Sequence, residues 1–497
     1  MSSIQPCSRV TSRERVFPAT ATPTGQATVT RLSIIDASVA RFSTCAAVWL
    51  YNPAQASHDS TLHNNRLRQA LRETLDDYRH LAGQLRWATA DDIQPDDPNP
   101  RHVGRPVVSY GSPNTNTNTD PGVELVHAEY DRPLLGGDIV PGAEDRRNKT
   151  WVATGFPQDE LLPRCRLAFN SSLAEFEGLP GVAVQITRVA LARSLPMHRY
   201  DWWATDAPGY PAWATASSDA TKPEPEDLLG MKLQLSPSTL PPWPTWDISA
   251  PVEHVQVRFS ADEVARIKRA AQHAALANNH DDDDDDDDGQ QETPTISRLD
   301  ALLAHMWILI NRARGHYAAD ETVYLDITLG LRTRVSPPLP ESFVGSPILL
   351  GYVARRGKDV CSSSADAGDG AGLLGAIAVE IRRMMALFTP EAVGAYIHDA
   401  AHEVSPQRLW QAFLGKRHTL VTSWVRAGAY EVDFCGGEGG GTRPVYVQGK
   451  MPRMDGILQV MDVGEDTGDF DVSLCLEKGA MGRLLGDEML RMYAREL

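Results

Sequence analysis

At 497 residues the chain is long enough for about two to four domains of roughly 150 residues each. Its 42% hydrophobic, 23% charged and 7% aromatic residues exclude a disordered or collagen-like chain. The net charge of −17 includes one run of acidic residues, 281–288. With no Lys/Arg clusters interleaved with aromatics, neither nucleic acid nor an anionic membrane is an expected partner.

No apolar run approaches the roughly 18 residues that span a bilayer, and the N-terminus lacks an apolar signal core, so a cytoplasmic location is expected. The six cysteines (Cys7, Cys45, Cys165, Cys361, Cys435 and Cys475) include no CxxC pair. They read as thiols rather than as a disulfide framework or a zinc site.

Residues 1–27 are rich in Ser, Thr and Arg and read as a flexible tail. Residues 28–52 then predict strands on either side of the turn-prone Asp36-Ala37-Ser38. Leu67, Leu71, Leu75, Tyr78 and Leu81 recur every three or four residues, a helical spacing that ends at Gly83. Residues 87–122 hold many Asp, Asn, Pro and Thr and read as loops, with one short strand at 107–110. Val182, Val184 and Ile186 alternate with Ala183, Gln185 and Thr187 in the period of a half-buried strand, and 191–197 is its expected hairpin partner. A Trp-rich stretch with Trp202, Trp203 and Trp213 follows. The Pro-rich residues 222–251 then form an extended crossing, because proline removes backbone donors and fixes φ.

Past the crossing, 255–259 reads as a strand, and Ser260 with Glu263 as a capping box that opens a helix to about Ala277. The Asp run belongs to an insertion at 278–292. Eight adjacent like charges repel one another and lack the spaced geometry of a calcium site, so the run reads as a solvated loop. Residues 296–312 predict a helix, 323–331 a strand, 361–372 a low-complexity linker and 373–387 a helix. Strands around Val445, Ile457 and Val472 precede a final helix. Strands and helices without strict alternation predict a mixed α/β fold rather than a regular doubly wound one.

Several blocks resemble, in order, the BAHD acyltransferases, which move an acyl group from a coenzyme A thioester to an alcohol or amine. They begin with Leu32-Ser33-Ile34-Ile35-Asp36, the 80–86 segment His-Leu-Ala-Gly-Gln-Leu-Arg and 184–188. They continue with 296–307, Arg312-Ala313-Arg314, Leu331-Arg332-Thr333-Arg334, Pro337 to Pro340 and Gly345. Thr422-Ser423-Trp424, Asp433-Phe434 and Met454-Asp455-Gly456 complete the series. The resemblance implies two similar-sized domains, 28–221 and 252–497, each with a mixed sheet and flanking helices. The 222–251 crossover joins them, and a channel between them admits acyl-CoA and a small-molecule acceptor. Acyl-CoA is then a co-substrate, no cofactor or metal is expected, and the chain acts as a monomer on a specialised metabolite, moving acetyl or another small acyl group.

Acyl transfer to an alcohol needs a base, and histidine, with a reference pKa of about 6.5, can be neutral before the step and charged after it. The family supplies it in an HxxxD motif. Here Asp206 matches the motif aspartate, but Trp202 stands four residues before it, and an indole N–H cannot accept a proton. His198 lies eight residues before Asp206 and becomes the base if 199–202 are an insertion; both alignments stay open. The family's structural DFGWG segment reads Asp433-Phe434-Cys435-Gly436-Gly437, whose Asp433 is expected to pair with Arg334 or Arg332 in a buried ion pair. Trp202, Trp424 and Arg426 are the expected substrate contacts.

Two other readings stand beside this one. His398 and His402 have the i, i+4 spacing of a zinc hydrolase helix, but Asp399 replaces the longer Glu and no third ligand is apparent. A chamber without its base suits instead a cyclase, dehydratase or isomerase, or a non-catalytic binding scaffold.

Overall fold

The computed structural model describes residues 8–20, 27–32, 34–39, 45–52, 60–92, 106–111, 120–135, 139–142, 146, 150–163, 178–189, 192–193, 197–200, 250–278, 293–340, 343, 345, 347–361, 367–401, 414–434, 443–464 and 467–494. Three sheets organise them.

The first sheet runs in the order β1 (Ser8–Val16), β6 (Val123–Tyr130), β8 (Ala183–Val189), β10 (Met197–Tyr200), β3 (Cys45–Leu50) and β15 (Tyr446–Gly449), with β9 (Ala192–Arg193) paired on β8. β6 and β8 are parallel and the other pairs antiparallel. The second sheet runs β13 (Ile348–Arg356), β12 (Thr322–Gly330), β14 (His418–Ser423), β16 (Ile457–Asp462), β17 (Phe470–Glu477), β11 (Val252–Phe259) and β7 (Thr150–Val152). A small sheet of β2 (Thr28–Arg31), β5 (Pro106–Tyr110) and β4 (Gln84–Trp87) flanks the first.

The two halves of the chain exchange edge strands. β15, from the second half, closes the first sheet against β3, while β7, from the first half, closes the second against β11. The close approach has a glycine at its centre: a Cβ on Gly449 would overlap the side chain of Gln459 on β16.

Within the stretch expected to be a tail, residues 8–16 form strand β1, paired with β6 from Ser8↔Tyr130 to Val16↔Val123 with one register shift between Val10 and Ser12. Its signal is ionic rather than apolar. Arg9 meets Glu129 at 2.7 Å, and Arg15 meets the buried Glu124 at 2.6 Å across the pair. A second departure falls at residues 34–39, a short helix (Ile34–Val39) where a turn was expected. The low-complexity linker is likewise shorter than expected, since the helix Ala367–Ala386 begins inside it.

In the second half the helices Ala261–Asn278, Arg298–Arg314 and Ala367–Ala386 cover one face of the sheet. Val323, Leu325 and Ile327 of β12 join Trp307, Ile377 and Phe388 in one core. The helix Arg298–Arg314 is buried along nearly its whole length. Ser297 and Asp300 cap it reciprocally, and Gly315 ends it in the left-handed region at φ 78°. At Ser260 only half of the expected box forms: the Ser260 hydroxyl accepts from the Glu263 N–H, while the Glu263 carboxylate turns to Arg491 at 3.3 Å.

A buried pairing at the sheet ends joins two of the sequence blocks. Arg314, at the helix end, donates to the carbonyl of His418 at 2.8 Å and to Asp455 at 3.1 Å, and Asp455 also accepts the Glu477 N–H at 2.9 Å. Burial pulls the Arg314 pKa below the ordinary range, with Asp455 opposing that shift. The neighbouring Gly456 has φ 88°, and a Cβ there would stand 2.5 Å from the His418 carbonyl oxygen and 2.6 Å from Arg314 Nη2.

Candidate active site

β8, β10 and β3 are consecutive strands of the first sheet. The strand register puts His198 opposite Val184, and Arg199 opposite Ala183 on one side and Ala46 on the other. Because successive positions alternate between faces, position 198 shares the face of Val184, Ala47, Trp49 and Tyr51. That face carries the core that joins the two halves: Val182, Val184, Ile186, Ala47, Trp49 and Tyr51 pack with Ala429, Tyr430, Val447 and Met461.

The second half contributes the segment 424–434. β14 ends at Ser423, and the Trp424 N–H continues the ladder to the Val460 carbonyl of β16 at 2.7 Å. The chain then turns sharply. Ala427 N–H bonds Trp424 O at 3.1 Å, and Arg426 adopts φ 65°, a left-handed conformation that non-glycine residues seldom take. Its N–H donates to the Asp462 carboxylate at 2.6 Å, which holds the strained backbone in place.

From there the segment crosses to the first sheet. The Trp49 indole N–H donates to Ala429 O at 2.8 Å, and the Tyr51 hydroxyl to Val432 O at 2.6 Å. Phe434 stands edge-on to both rings, at 5.7 and 6.2 Å between centroids. Trp424, Val432 and Phe434 are half-buried against this core. Tyr430 is buried and its hydroxyl accepts the Val447 N–H at 3.1 Å. Burial pushes its pKa up to about 12, so it is a neutral phenol near pH 7.

A family model described as the Transferase family matches residues 9–94 and 228–489. The chain belongs to this family, the BAHD acyltransferases. Among its relatives, acyltransferase abl6 of Leptosphaeria maculans is 23% identical over 90% of this chain and 89% of that protein. Acyltransferase AFT15-1 of Alternaria alternata is 28% identical over 38% of this chain, a match that spans 31% of the relative's own length. In fold, the chain is similar to the F. graminearum TRI101 structure solved with coenzyme A and deoxynivalenol: TM-score 0.59, 15% identity, 93% of this chain and 98% of that one.

Within this BAHD fold, position 198 and the Trp424 segment meet one core face. Trp202 and Asp206 lie outside the described residues, as do 222–249 of the crossover and the Asp run. Arg426 is exposed on the turn that begins at Trp424.

The expected buried pair at Asp433 does not form with either arginine. Asp433 is exposed. Arg334 instead donates to the carbonyls of Met385 and Phe388 at 2.8 and 3.2 Å, and Arg332 to the Phe343 carbonyl at 2.9 Å. For Arg334 the physical reason is local: the C-terminal end of the helix Ala367–Ala386 presents carbonyls with spare acceptor capacity, where a cation is favoured both as a donor and by the helix dipole. The buried arginine–carboxylate pair among the family blocks is Arg314 with Asp455.

The helix Pro390–Ala401 carries position 398, while His402 lies outside the described residues. Among the described residues no group of three or more His, Cys, Asp or Glu side chains could hold a metal ion. No helix among them is long and apolar enough to cross a membrane. Cys361 and Cys475 are buried thiols whose pKa burial raises to about 12.

Sequence reading missed two features. One is the aromatic pair Trp49 and Tyr51, whose only signal is a period-two placement in a strand. The other is His418, with Nδ1 3.0 Å from Asp326 Oδ2 and its ring stacked on Tyr324 at 4.7 Å. Six positions of strand separate His418 from Trp424, about 20 Å at roughly 3.3 Å per residue, so this pair does not reach the Trp424 segment.

Proposed function

We propose that this protein transfers an acyl group, acetyl or another small acyl, from acyl-CoA to a hydroxyl or amine of a specialised metabolite, with His198 as the general base. The observation that carries the reading is the meeting of two chain halves on one face: the family's base-bearing strand, β10, and the Trp424 segment are both held against β3.

In this reading His198 takes the proton of the acceptor as its oxygen or nitrogen attacks the thioester carbonyl carbon. The carbon–sulfur bond then breaks, and the proton passes to the departing thiolate to give coenzyme A and the ester or amide. Asp206 shapes the loop behind the base, and Trp202, Trp424 and Arg426 contact the substrates. No metal or cofactor takes part, and the chain works as a monomer in the cytoplasm.

The test is incubation with a panel of acyl-CoA donors against extracts of the native host, scored by free thiol release. Release by the parent and its loss in a folded His198→Ala variant support the reading. A folded His198→Ala variant with parental release removes the base from His198. A parent that neither binds coenzyme A nor releases thiol favours the cyclase, dehydratase, isomerase or binding-scaffold alternative, which the Trp202 position raises.

A further inference from the structure

We infer that Trp49 and Tyr51 are positioning residues for the acceptor side of the site, where the resemblance matches Arg426 to an acceptor-contacting arginine of some family members, acting through the 424–434 segment; the inference rests on the acyl-transfer reading above. The segment has two kinds of anchor. Its stem is fixed to the second sheet, through Trp424 N–H to Val460 O at 2.7 Å and Arg426 N–H to Asp462 at 2.6 Å. Its internal bonds, Ala427 N–H to Trp424 O at 3.1 Å and Glu431 N–H to Gly428 O at 2.9 Å, set the local turns but not where the segment lies against the first sheet.

That placement comes from β3 and the residue that follows it, beside one bond from β15, the Val447 N–H to the Tyr430 hydroxyl at 3.1 Å. Trp49 is 7% exposed and Tyr51 0%, and each spends its one side-chain donor on a carbonyl of the segment, Ala429 O and Val432 O. Phe434 closes the same contact with its ring edge. β3 is also the strand that pairs with β10, at Arg199↔Ala46 and Tyr200↔Cys45. One strand therefore holds the base-bearing strand through its backbone and the Trp424–Arg426 turn through its side chains. A reacting pair tolerates little misplacement, and about 1 Å can cost on the order of 10²-fold in rate. The spacing between position 198 and the turn is thus held by these two hydrogen bonds to main-chain carbonyls together with the Tyr430–Val447 bond.

Trp49→Phe and Tyr51→Phe remove each donor and keep an aromatic ring in the core. Each variant is expected to fold and to lose about fivefold to tenfold in kcat/KM for the acceptor, the loss of one buried hydrogen bond. The KM for acyl-CoA should stay within about twofold. Hydrogen exchange at the amides of Ala427 to Phe434 should accelerate in both variants while β16 and β17 keep parental protection. Parental acceptor kinetics with parental exchange in the segment overturns the inference. So does an equal rise in the KM of both substrates with exchange accelerated throughout the second sheet, because that is a purely structural loss. A parent that releases no thiol from any acyl-CoA overturns the acyl-transfer reading and the acceptor role together. Thiol release by the parent with parental acceptor kcat/KM in the variants overturns the positioning role alone.

Discussion

Replacing Asp455 should destabilise the protein far more than replacing Asp433, because Asp455 is buried against a buried guanidinium whereas Asp433 is exposed. Its carboxylate lies 3.1 Å from Arg314 Nη2 and accepts the Glu477 N–H at 2.9 Å. The side chains of Arg314 and Asp455 are 5% and 8% exposed. Asp455→Ala strands the Arg314 charge and orphans the Glu477 N–H, a loss of about 3–5 kcal/mol. At roughly 2 °C per kcal/mol for a large domain, the melting temperature should fall by about 6–10 °C. Asp455→Asn keeps an acceptor for Glu477 and isolates the charge term. Adding Arg314→Met to it removes the stranded cation and should recover part of the loss, so the double-mutant cycle should show a coupling of about 1–3 kcal/mol. Thermal and urea unfolding of the parent, Asp455→Ala, Asp455→Asn, Arg314→Met, the Asp455→Asn/Arg314→Met double variant and Asp433→Ala give every value needed. Equal melting temperatures for Asp455→Ala and Asp433→Ala, or strictly additive effects in the cycle, would refute the argument.

His254 and His305 are buried, and burial lowers both pKa values to about 4. Each favours the neutral folded form above the unfolded pKa of about 6.5, so its contribution is lost as pH falls from about 6.5 to 4, about 3 kcal/mol apiece; a urea midpoint unchanged between pH 7 and 5 would contradict this. His198→Ala should reduce turnover by roughly 10²–10⁴-fold with acyl-CoA affinity kept, read by thiol release and donor titration. Deleting residues 281–288 should leave both activity and melting temperature at parental values, because eight adjacent like charges are expected from the sequence to stay in solvent; lost activity at an unchanged melting temperature would give the run a direct role.

The parts of this fold that the sequence discloses are those stabilised by apolar periodicity. The helices Ser60–Asp77, Ala261–Asn278 and Arg298–Arg314 and the strands β8, β11 and β12 all lie where the period of three to four, or of two, places them. β1 was hidden because its pairing is ionic: Arg9, Arg13 and Arg15 look like a charged tail until Glu124 and Glu129 stand opposite them. Asp433 misled for a different reason. A carboxylate in a recognisable block says nothing of its depth, and depth, not block membership, makes an ion pair costly to break. Arg314 and Asp455 stood in blocks just as visible, yet only the meeting of a helix end, two parallel strands and a glycine at φ 88° shows them to be partners. At the site, Trp424 was legible from its block. Trp49 and Tyr51 were not, because their partners are carbonyls about 380 residues away, and main-chain acceptors leave no trace in a side-chain pattern.

The exchange of edge strands explains why so distant a contact is dependable. Without β15, β3 would be an edge strand with unpaired N–H and C=O groups, free to shift register. Tyr446↔Leu50, Val447↔Trp49, Gln448↔Val48 and Gly449↔Ala47 hold it inside the sheet instead. The residue opposite Trp49, Val447, gives its N–H to Tyr430, which sits within the same segment that Trp49 and Tyr51 hold. Tyr446, one position earlier, donates to Gln256 on β11 at 2.5 Å and so ties the first sheet to the second. The second half thus supplies both the Trp424–Arg426 turn and the strand that fixes the register of its support. A one-residue slip of β3 would reverse its faces, turning Trp49 and Tyr51 away from Ala429 and Val432. Register in β3 is therefore a condition of the site's geometry as well as of the fold, and β15 is the element that enforces it.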